Sequence, residues 1–477
     1  MKMLPPVLFA LALQGATVSA VEQIVTLGDS LTYAYESEFG FQQFITGAGL
    51  LGDGMPSTVR NWVEILNNPT YRADRFDLGT RDDLTVDPPL DPPFNFYFRQ
   101  RHNWAIPGLK VDELRRFITG DPTATFPSLI SGSAQLSALF SYSDFTNADF
   151  ALTDLQDQIQ NTAERLTLFI GGNDVKQVFG TIYDGGSAGT FVADFMADTV
   201  AILDQVQTLN PNIQIVLVNV PHIGITLDVK ATWPYDPVKT ERVSAVLRDL
   251  NGLLGNLAAT RKIGYADIYG ATLQMLDDTK LCIHGVTFLT DFGTSTGNLT
   301  RVWLNGPISN NFHPNTNGQA VIANEIIHAF NRRYQTGIPL LSATEILGGL
   351  LAKVPADIDI TYGKWIVRYI PAPARPTSDD SDGDGIPAGT EFSLGLNPIR
   401  HDSDYLTSGV VSGALEIAYP LRLPSSPNFM LVPESSATLA SFTPFAILPT
   451  IEADGLYHAR LPVGASPGFL RLKATIP

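Results

Sequence analysis

Four runs along the chain are continuously apolar and rich in β-branched residues: Gln23 to Leu27, Leu166 to Ile170, Ile213 to Val220 and Ile263 to Ile268. An alternating pattern would leave one face for water. A continuous one predicts strands buried on both faces, as in a parallel sheet. A fifth, weaker run spans Phe94 to Phe98. Between the runs, apolar positions recur at helical spacing over Val111 to Phe117, Phe191 to Gln207 and Thr240 to Ala259, and a last helix is predicted from about Asn317 to Arg333. Strands alternating with helices predict crossover units and a parallel sheet covered on both faces. In such sheets, sites gather beyond the carboxyl ends of the strands.

The pattern changes near residue 340. Residues 342 to 353 read as one more helix, and Pro371, Pro373 and Pro376 mark a linker. An acidic Gly/Asp segment follows. The tail then shows short alternating runs, Leu415 to Tyr419, Phe429 to Val432 and Phe469 to Lys473, that predict a small β-domain. At the other end, Lys2, the apolar stretch Val7 to Leu13 and the small residues Val18-Ser19-Ala20 have the layout of a secretory signal. The expected organisation is a signal peptide at 1–20, a main domain at 21–340, a helical extension and Pro-rich linker at 341–378, an acidic loop segment at 379–404 and a β accessory domain at 405–477. The mature chain is expected to begin near Val21 and to work outside the cytoplasm, released or held at the cell surface. No later stretch approaches about 18 uninterrupted apolar residues, so no transmembrane span is expected.

Composition narrows the function classes. The chain has 477 residues, 44% hydrophobic and 17% charged, which fits a folded protein with a sizeable core. A formal net charge of −17 excludes the basic surface that nucleic-acid binding needs. The single cysteine, Cys282, permits no internal disulfide and reads as a buried structural thiol, because its neighbour His284 has no second cysteine with which to hold a metal.

Four short motifs carry candidate chemistry. Gly28-Asp29-Ser30 ends the first apolar run and puts Ser30 at what reads as a helix start, where backbone N–H groups can stabilise an oxyanion. Alone, such a triplet is an ordinary turn or N-cap. Asn103-Trp104-Ala105-Ile106-Pro107-Gly108 opens a helix, and Gly108 lets a substrate approach the backbone. Gly171-Gly172-Asn173-Asp174 follows the second long strand directly; Asn173 can offer a side-chain amide, whereas Asp174 reads as a cap or loop anchor. Asn310-Asn311-Phe312-His313-Pro314 places His313 in a loop before the final helix. A serine needs such a base, because at its free pKa it is a poor nucleophile. His222, after the third run, is the reserve candidate.

Together and in this order, the motifs resemble the blocks of SGNH hydrolases, the GDSL lipases, over roughly residues 21–335. Leu166 to Asp174 looks especially similar to the phospholipase B-like branch. The resemblance implies a flavodoxin-like three-layer α/β/α domain, here followed by a small calcium-loop and β-domain. It implies a carboxylic ester hydrolase in which Ser30 attacks the carbonyl and His313 moves the proton. The oxyanion would be held by the N–H groups of Ser30 and Gly108 and by the amide of Asn173, with no cofactor for catalysis. Acyl lipids or phospholipids are the first substrate expectation and acylated carbohydrate the second. The insertion Tyr33 to Leu51 is a candidate acyl pocket, lid or piece of core.

One position departs from the family. An aspartate is usual three residues before the histidine, and this chain has Asn310. An amide oxygen can accept the imidazole Nδ1 proton but carries no charge, and the equivalent change in a serine protease costs about 10⁴ in kcat. A Ser–His pair oriented by Asn310 or a backbone carbonyl, a carboxylate from elsewhere, and a weak enzyme are all compatible with this. Retention of Ser30, Gly108, Asn173 and His313 favours the first. The competing class is a catalytically weak or inactive SGNH-fold binding or adhesion protein whose tail meets a surface or glycan.

The acidic segment has its own pattern. Asp380, Asp382 and Asp384 occupy positions 1, 3 and 5 of a twelve-position calcium loop, with a glycine at 6, the Ile386 carbonyl at 7 and Glu391 at 12. With Asn397-Pro398 and Asp402-Ser403-Asp404, it resembles thrombospondin type 3-like calcium repeats. A structural calcium that stiffens the junction with the tail is expected.

Overall fold

A computed structural model describes residues 23–35, 60–67, 75–86, 94–121, 152–273, 275–276, 280–283, 286–290, 302–304, 312–341, 344–350, 361–370, 375–396, 398–399, 406–420, 430–444, 449–451, 456–463 and 468–475. The expected signal peptide, Asn310, His284, Asn397, Asp402, Asp404, most of the insertion after Tyr35 and the side chain of Cys282 lie outside the described residues and side chains.

The first six strands in chain order are β1 (Ile24–Gly28), β2 (Arg81–Val86), β3 (Phe94–Gln100), β4 (Arg165–Phe169), β5 (Gln214–Val218) and β6 (Gly264–Ala266). Four of them form a parallel sheet in the order β1-β4-β5-β6, with Ile24 opposite Arg165, Arg165 opposite Gln214 and Val216 opposite Gly264. The weak run at Phe94 to Phe98, expected as a fifth buried strand, is instead part of an antiparallel hairpin of β2 with β3. The place beside β1 is taken a few residues later. Thr26 N–H donates to the His102 carbonyl, and the N–H groups of Trp104 and Ile106 donate to Thr26 and Gly28. With residues 102–106 counted as the second strand, the spatial order is 2-1-3-4-5, the doubly wound order whose switch point lies between the first and third strands.

Side chains alternate between two apolar cores. Val25, Leu27, Leu166, Leu168, Ile215 and Leu217 point to one face, which is covered by helices Val111–Ile118, Gly172–Tyr183, Phe191–Leu209 and Pro237–Arg261. Ile24, Phe169, Val216, Val218 and Ala266 point to the other, which is covered by Trp62–Leu66 and Thr316–Tyr334. This is a three-layer α/β/α domain, because neither face of a parallel sheet tolerates water.

Beyond this domain, the segment expected as a helix at 342–353 forms a short wide-turn helix over Thr344–Leu350. Helix Tyr362–Tyr369 packs Trp365 and Tyr369 against Phe392 and Ala388 of helix Ala388–Leu394. The tail forms two small antiparallel sheets, one holding Ala414–Tyr419 and Tyr457–Pro462, the other Met430–Ser436 and Phe469–Thr475. Ile386 and Leu394 share an apolar cluster with Ile417, Tyr419 and Ala459, so the acidic segment packs onto the tail sheet.

Gly28 shows how closely the switch point is built. A Cβ there would sit 2.5 Å from the Phe169 carbonyl oxygen and 2.8 Å from Thr32 Oγ1. The obstructing atom is backbone of the paired strand, so it cannot swing away. Gly28→Ala is expected to lower unfolding free energy by about 3 kcal/mol in a denaturant titration; an unchanged midpoint would contradict this close approach.

Candidate active site

β1 ends at Gly28, and the chain turns at once. The N–H groups of Thr32 and Tyr33 both donate to the Asp29 carbonyl, and Leu31 N–H donates to its Oδ1. The expected helix start at Ser30 is therefore a tight turn over residues 30–32, and helical backbone begins only at Tyr35. Ser30 is carried at the carboxyl edge of the sheet and is largely buried.

His313 arrives from the other end of the domain. Leu304 N–H donates to the His313 carbonyl at 2.9 Å, and Asn315 N–H donates to the Val302 carbonyl at 2.7 Å. This two-rung ladder pins the backbone on either side of the imidazole, and Asn315 caps the helix that follows. His313 Nε2 lies 2.6 Å from Ser30 Oγ. Phe312 packs edge-on against the ring, with centroids 5.2 Å apart, and Lys176 Nζ sits 4.3 Å from the Phe312 centroid.

Asn173 is in the first turn of helix Gly172–Tyr183, directly after β4. Its Nδ2 donates to the Leu109 carbonyl at 3.1 Å and, more weakly, to Asp29 Oδ2 at 3.4 Å. Gly108 precedes Leu109 at φ +79°, a left-handed conformation that favours glycine. The motifs at 28–30, 103–108, 171–174 and 312–314 thus converge at the switch point. Asp174 anchors as expected: its carboxylate accepts the N–H of Val111, the first residue of the neighbouring helix.

Two buried carboxyls support this edge. Burial pushes Asp29 up to about 7, although the N–H groups of Leu31, Gly171 and Gly172 act against it. Burial also pushes Asp174 up to about 7, aided by the nearby Asp29 charge. Asp29, expected only as a turn or cap residue of the Gly28-Asp29-Ser30 triplet, thus links that turn to Gly171 and Gly172.

A cavity of about 80 Å³ adjoins Ser30 and His313's neighbours Phe312 and Pro314. Beyond Ser30 and Asn173, its walls are largely apolar, among them Ile225, Ile268, Met275, Leu281, Trp303 and Ile322. The insertion Tyr33 to Leu51 was expected to line such a pocket, to form a lid or to be core. Of its described part, Tyr33, Ala34 and Tyr35 are buried core, and the named walls come from the second half of the domain.

In the acidic loop, ligand oxygens of Asp380, Asp382 and Asp384 lie within 4.8 Å of one another. Asp380 also accepts the N–H groups of Gly383 and Gly385, which tightens the turn. Ile386 is buried beside the tail sheet. Glu391, expected at the twelfth position, is fully buried in helix Ala388–Leu394 and is not a member of the three-carboxylate group.

A doubly wound sheet with a serine and a histidine in contact at its switch point, beside an apolar cavity, belongs to the class of α/β ester hydrolases. The GDSL-like lipase/acylhydrolase family model matches residues 24–326, and the chain belongs to that family; it is an ester-bond hydrolase. Similar solved structures include an extracellular lipase from Streptomyces rimosus, 13% identical with a TM-score of 0.29, over 65% of this chain and 100% of that one. A phospholipase A1 from Streptomyces albidoflavus is 15% identical with a TM-score of 0.29, again over 65% of this chain and 100% of that one. No curated protein matches the chain. Among the described residues, no helix is long and apolar enough to cross a membrane.

The reserve candidate His222 has both ring nitrogens engaged inside the core. Nδ1 accepts Gly224 N–H at 3.1 Å, and Nε2 meets Ser244 Oγ at 3.1 Å. Burial pushes it from 6.5 down to about 4. Because the folded value lies below the unfolded one, the stability it contributes is present above about pH 6.5 and is lost as pH falls towards 4. Asp29 and Asp174 act with the opposite sign: with raised folded values, they cost stability as pH rises from their ordinary range to about 7. His222→Asn is therefore expected to gain unfolding free energy relative to the parent chain as pH falls from 6.5 to 4, because the acid-side loss from His222 is removed while the gains from Asp29 and Asp174 remain. Identical acid limbs would contradict the assignment of His222 as a neutral core residue.

Proposed function

We propose that the chain is an exported serine carboxylic ester hydrolase acting on esters with an extended apolar acyl group, lipid or phospholipid esters first among them. The observation that carries this reading is the 2.6 Å contact of His313 Nε2 with Ser30 Oγ at the mouth of an apolar cavity. His313 takes the hydroxyl proton as Ser30 Oγ attacks the ester carbonyl. The developing oxyanion receives the N–H groups of Ser30 and Gly108 and one N–H of Asn173. The 3.4 Å contact of Asn173 with Asp29 is weak enough to give way to a charged acceptor. Collapse expels the alcohol, which regains the proton from His313, and leaves the acyl group on Ser30 with its chain in the cavity. A water activated by the same imidazole then releases the acid. Asn310 serves as orienter of the imidazole.

Hydrolysis of p-nitrophenyl esters of graded acyl length tests this. Ser30→Ala and His313→Ala are each expected to lower kcat by about 10³-fold or more. The parent chain should prefer acyl groups longer than acetyl. Activity indifferent to Ser30 would overturn the reading and leave a binding role for the fold. A preference for acetyl would redirect it to acylated carbohydrate.

We further propose that Asp380, Asp382, Asp384 and the Ile386 carbonyl hold a structural calcium, with no part in the reaction. The convergence of the three carboxylates supports this, and Glu391 of helix Ala388–Leu394 is the expected twelfth-position ligand. Calcium at a hundredfold excess over its dissociation constant should stabilise the intact chain by about 2.7 kcal/mol. That gain should vanish in Asp382→Asn. Equal thermal midpoints in calcium and in chelator would remove the ion from the account.

A further inference from the structure

Tyr35, five residues after Ser30, is fully buried and tied to the histidine's segment. Its hydroxyl donates to the Pro314 carbonyl at 2.8 Å, one residue past His313, and accepts Nε2 of Gln319 at 2.7 Å. Its ring stands edge-on to the imidazole, with centroids 6.4 Å apart at 74°. Its backbone N–H donates to Glu64 Oε2 at 3.1 Å.

These bonds belong to a buried network that joins the serine's segment to the histidine's through helix Trp62–Leu66. Gln319 Oε1 accepts Trp62 N–H at 3.2 Å, and Trp62 Nε1 donates to Thr32 Oγ1 at 3.4 Å. Arg60 N–H donates to Thr316 Oγ1 at 3.0 Å, and Asn61 Nδ2 donates to the Tyr33 carbonyl. A network of this kind has two ends, one within five residues of Ser30 and the other within six of His313. It therefore sets the distance between them.

We propose that Tyr35 is a positioning residue for the reaction. By holding the Pro314 carbonyl, its hydroxyl fixes the backbone beneath the imidazole and keeps Nε2 within reach of Ser30 Oγ. That support is of particular use in a chain with a neutral amide at position 310. The inference rests on the reading of Ser30 and His313 as nucleophile and base. Tyr35 touches neither the ester nor the reacting atoms, so its contribution belongs in kcat and not in substrate binding.

The test is steady-state hydrolysis of p-nitrophenyl butyrate by the full chain, with Tyr35→Phe beside Ser30→Ala. The phenyl ring keeps the packing and removes only the hydroxyl. Tyr35→Phe is expected to lower kcat about tenfold with KM unchanged and a thermal midpoint close to the parent's. Gln319→Met should lower kcat in the same way, and the double variant should be no worse than the weaker single variant, because both act through one network. A folded Tyr35→Phe protein with parental kcat overturns the proposal, as does a loss confined to KM. If Tyr35→Phe does not fold, Gln319→Met decides by the same criteria. Parental activity in Ser30→Ala would instead overturn the functional reading beneath it.

Discussion

Two side chains 283 residues apart approach within 2.6 Å, and much of the domain follows from the need to hold them there. Oγ of Ser30 is fixed by a strand that ends in a glycine pressed against its neighbour's backbone. Nε2 of His313 is fixed by a loop laddered to residues 302–304 and capped into a buried helix. An error of one ångström at either end would break the hydrogen bond. The sheet supplies the rigid reference: β1 is wholly buried and paired on both edges, by β4 on one side and by residues 102–106 on the other.

The same edge gathers polar groups into a dry place. Asp29 and Asp174 are both raised towards neutrality by burial, and both accept backbone N–H groups from adjoining motifs. Such carboxyls cost stability when ionised. In return they lock the turn after β1 to the start of helix Gly172–Tyr183 and to helix Val111–Ile118. The candidate oxyanion donors are carried by those locked segments, so little rearrangement remains to be made during the reaction, the condition under which electrostatic stabilisation is most effective.

What the sequence made legible was local. Gly28-Asp29-Ser30, Gly171 to Asp174 and His313-Pro314 were readable because each sits directly after a strand or before a helix, where backbone pattern and chemistry coincide. The four buried strands were readable because parallel strands leave continuous apolar runs. The fifth position in the sheet was not. Phe94 to Phe98 is more apolar than residues 102–106, yet the hairpin claims it, and the shorter segment pairs with β1 through backbone bonds that leave no hydrophobic signature. The cavity was also hidden, since Ile225, Ile268, Met275, Leu281 and Ile322 come from five stretches that meet only in the folded domain. His313, in a loop before a helix, was the leading histidine, and His222, after a strand, the reserve. Only the neighbours of each ring, Gly224 and Ser244 for one and Ser30 for the other, separate a core residue from a candidate base. Glu391 matched a calcium loop by spacing; in the fold it is a buried residue of helix Ala388–Leu394.

Whether Ser30 Oγ takes the acyl group is read most directly by covalent trapping. The intact chain would be treated with p-nitrophenyl octylphosphonate, which leaves a stable phosphonyl group on an activated serine, and the adduct mapped by peptide mass spectrometry. One adduct per chain, on the peptide carrying Ser30, absent in His313→Ala and accompanied by loss of ester hydrolysis, is the predicted result. An adduct on another residue, or continued hydrolysis by a chain fully modified at Ser30, would contradict it.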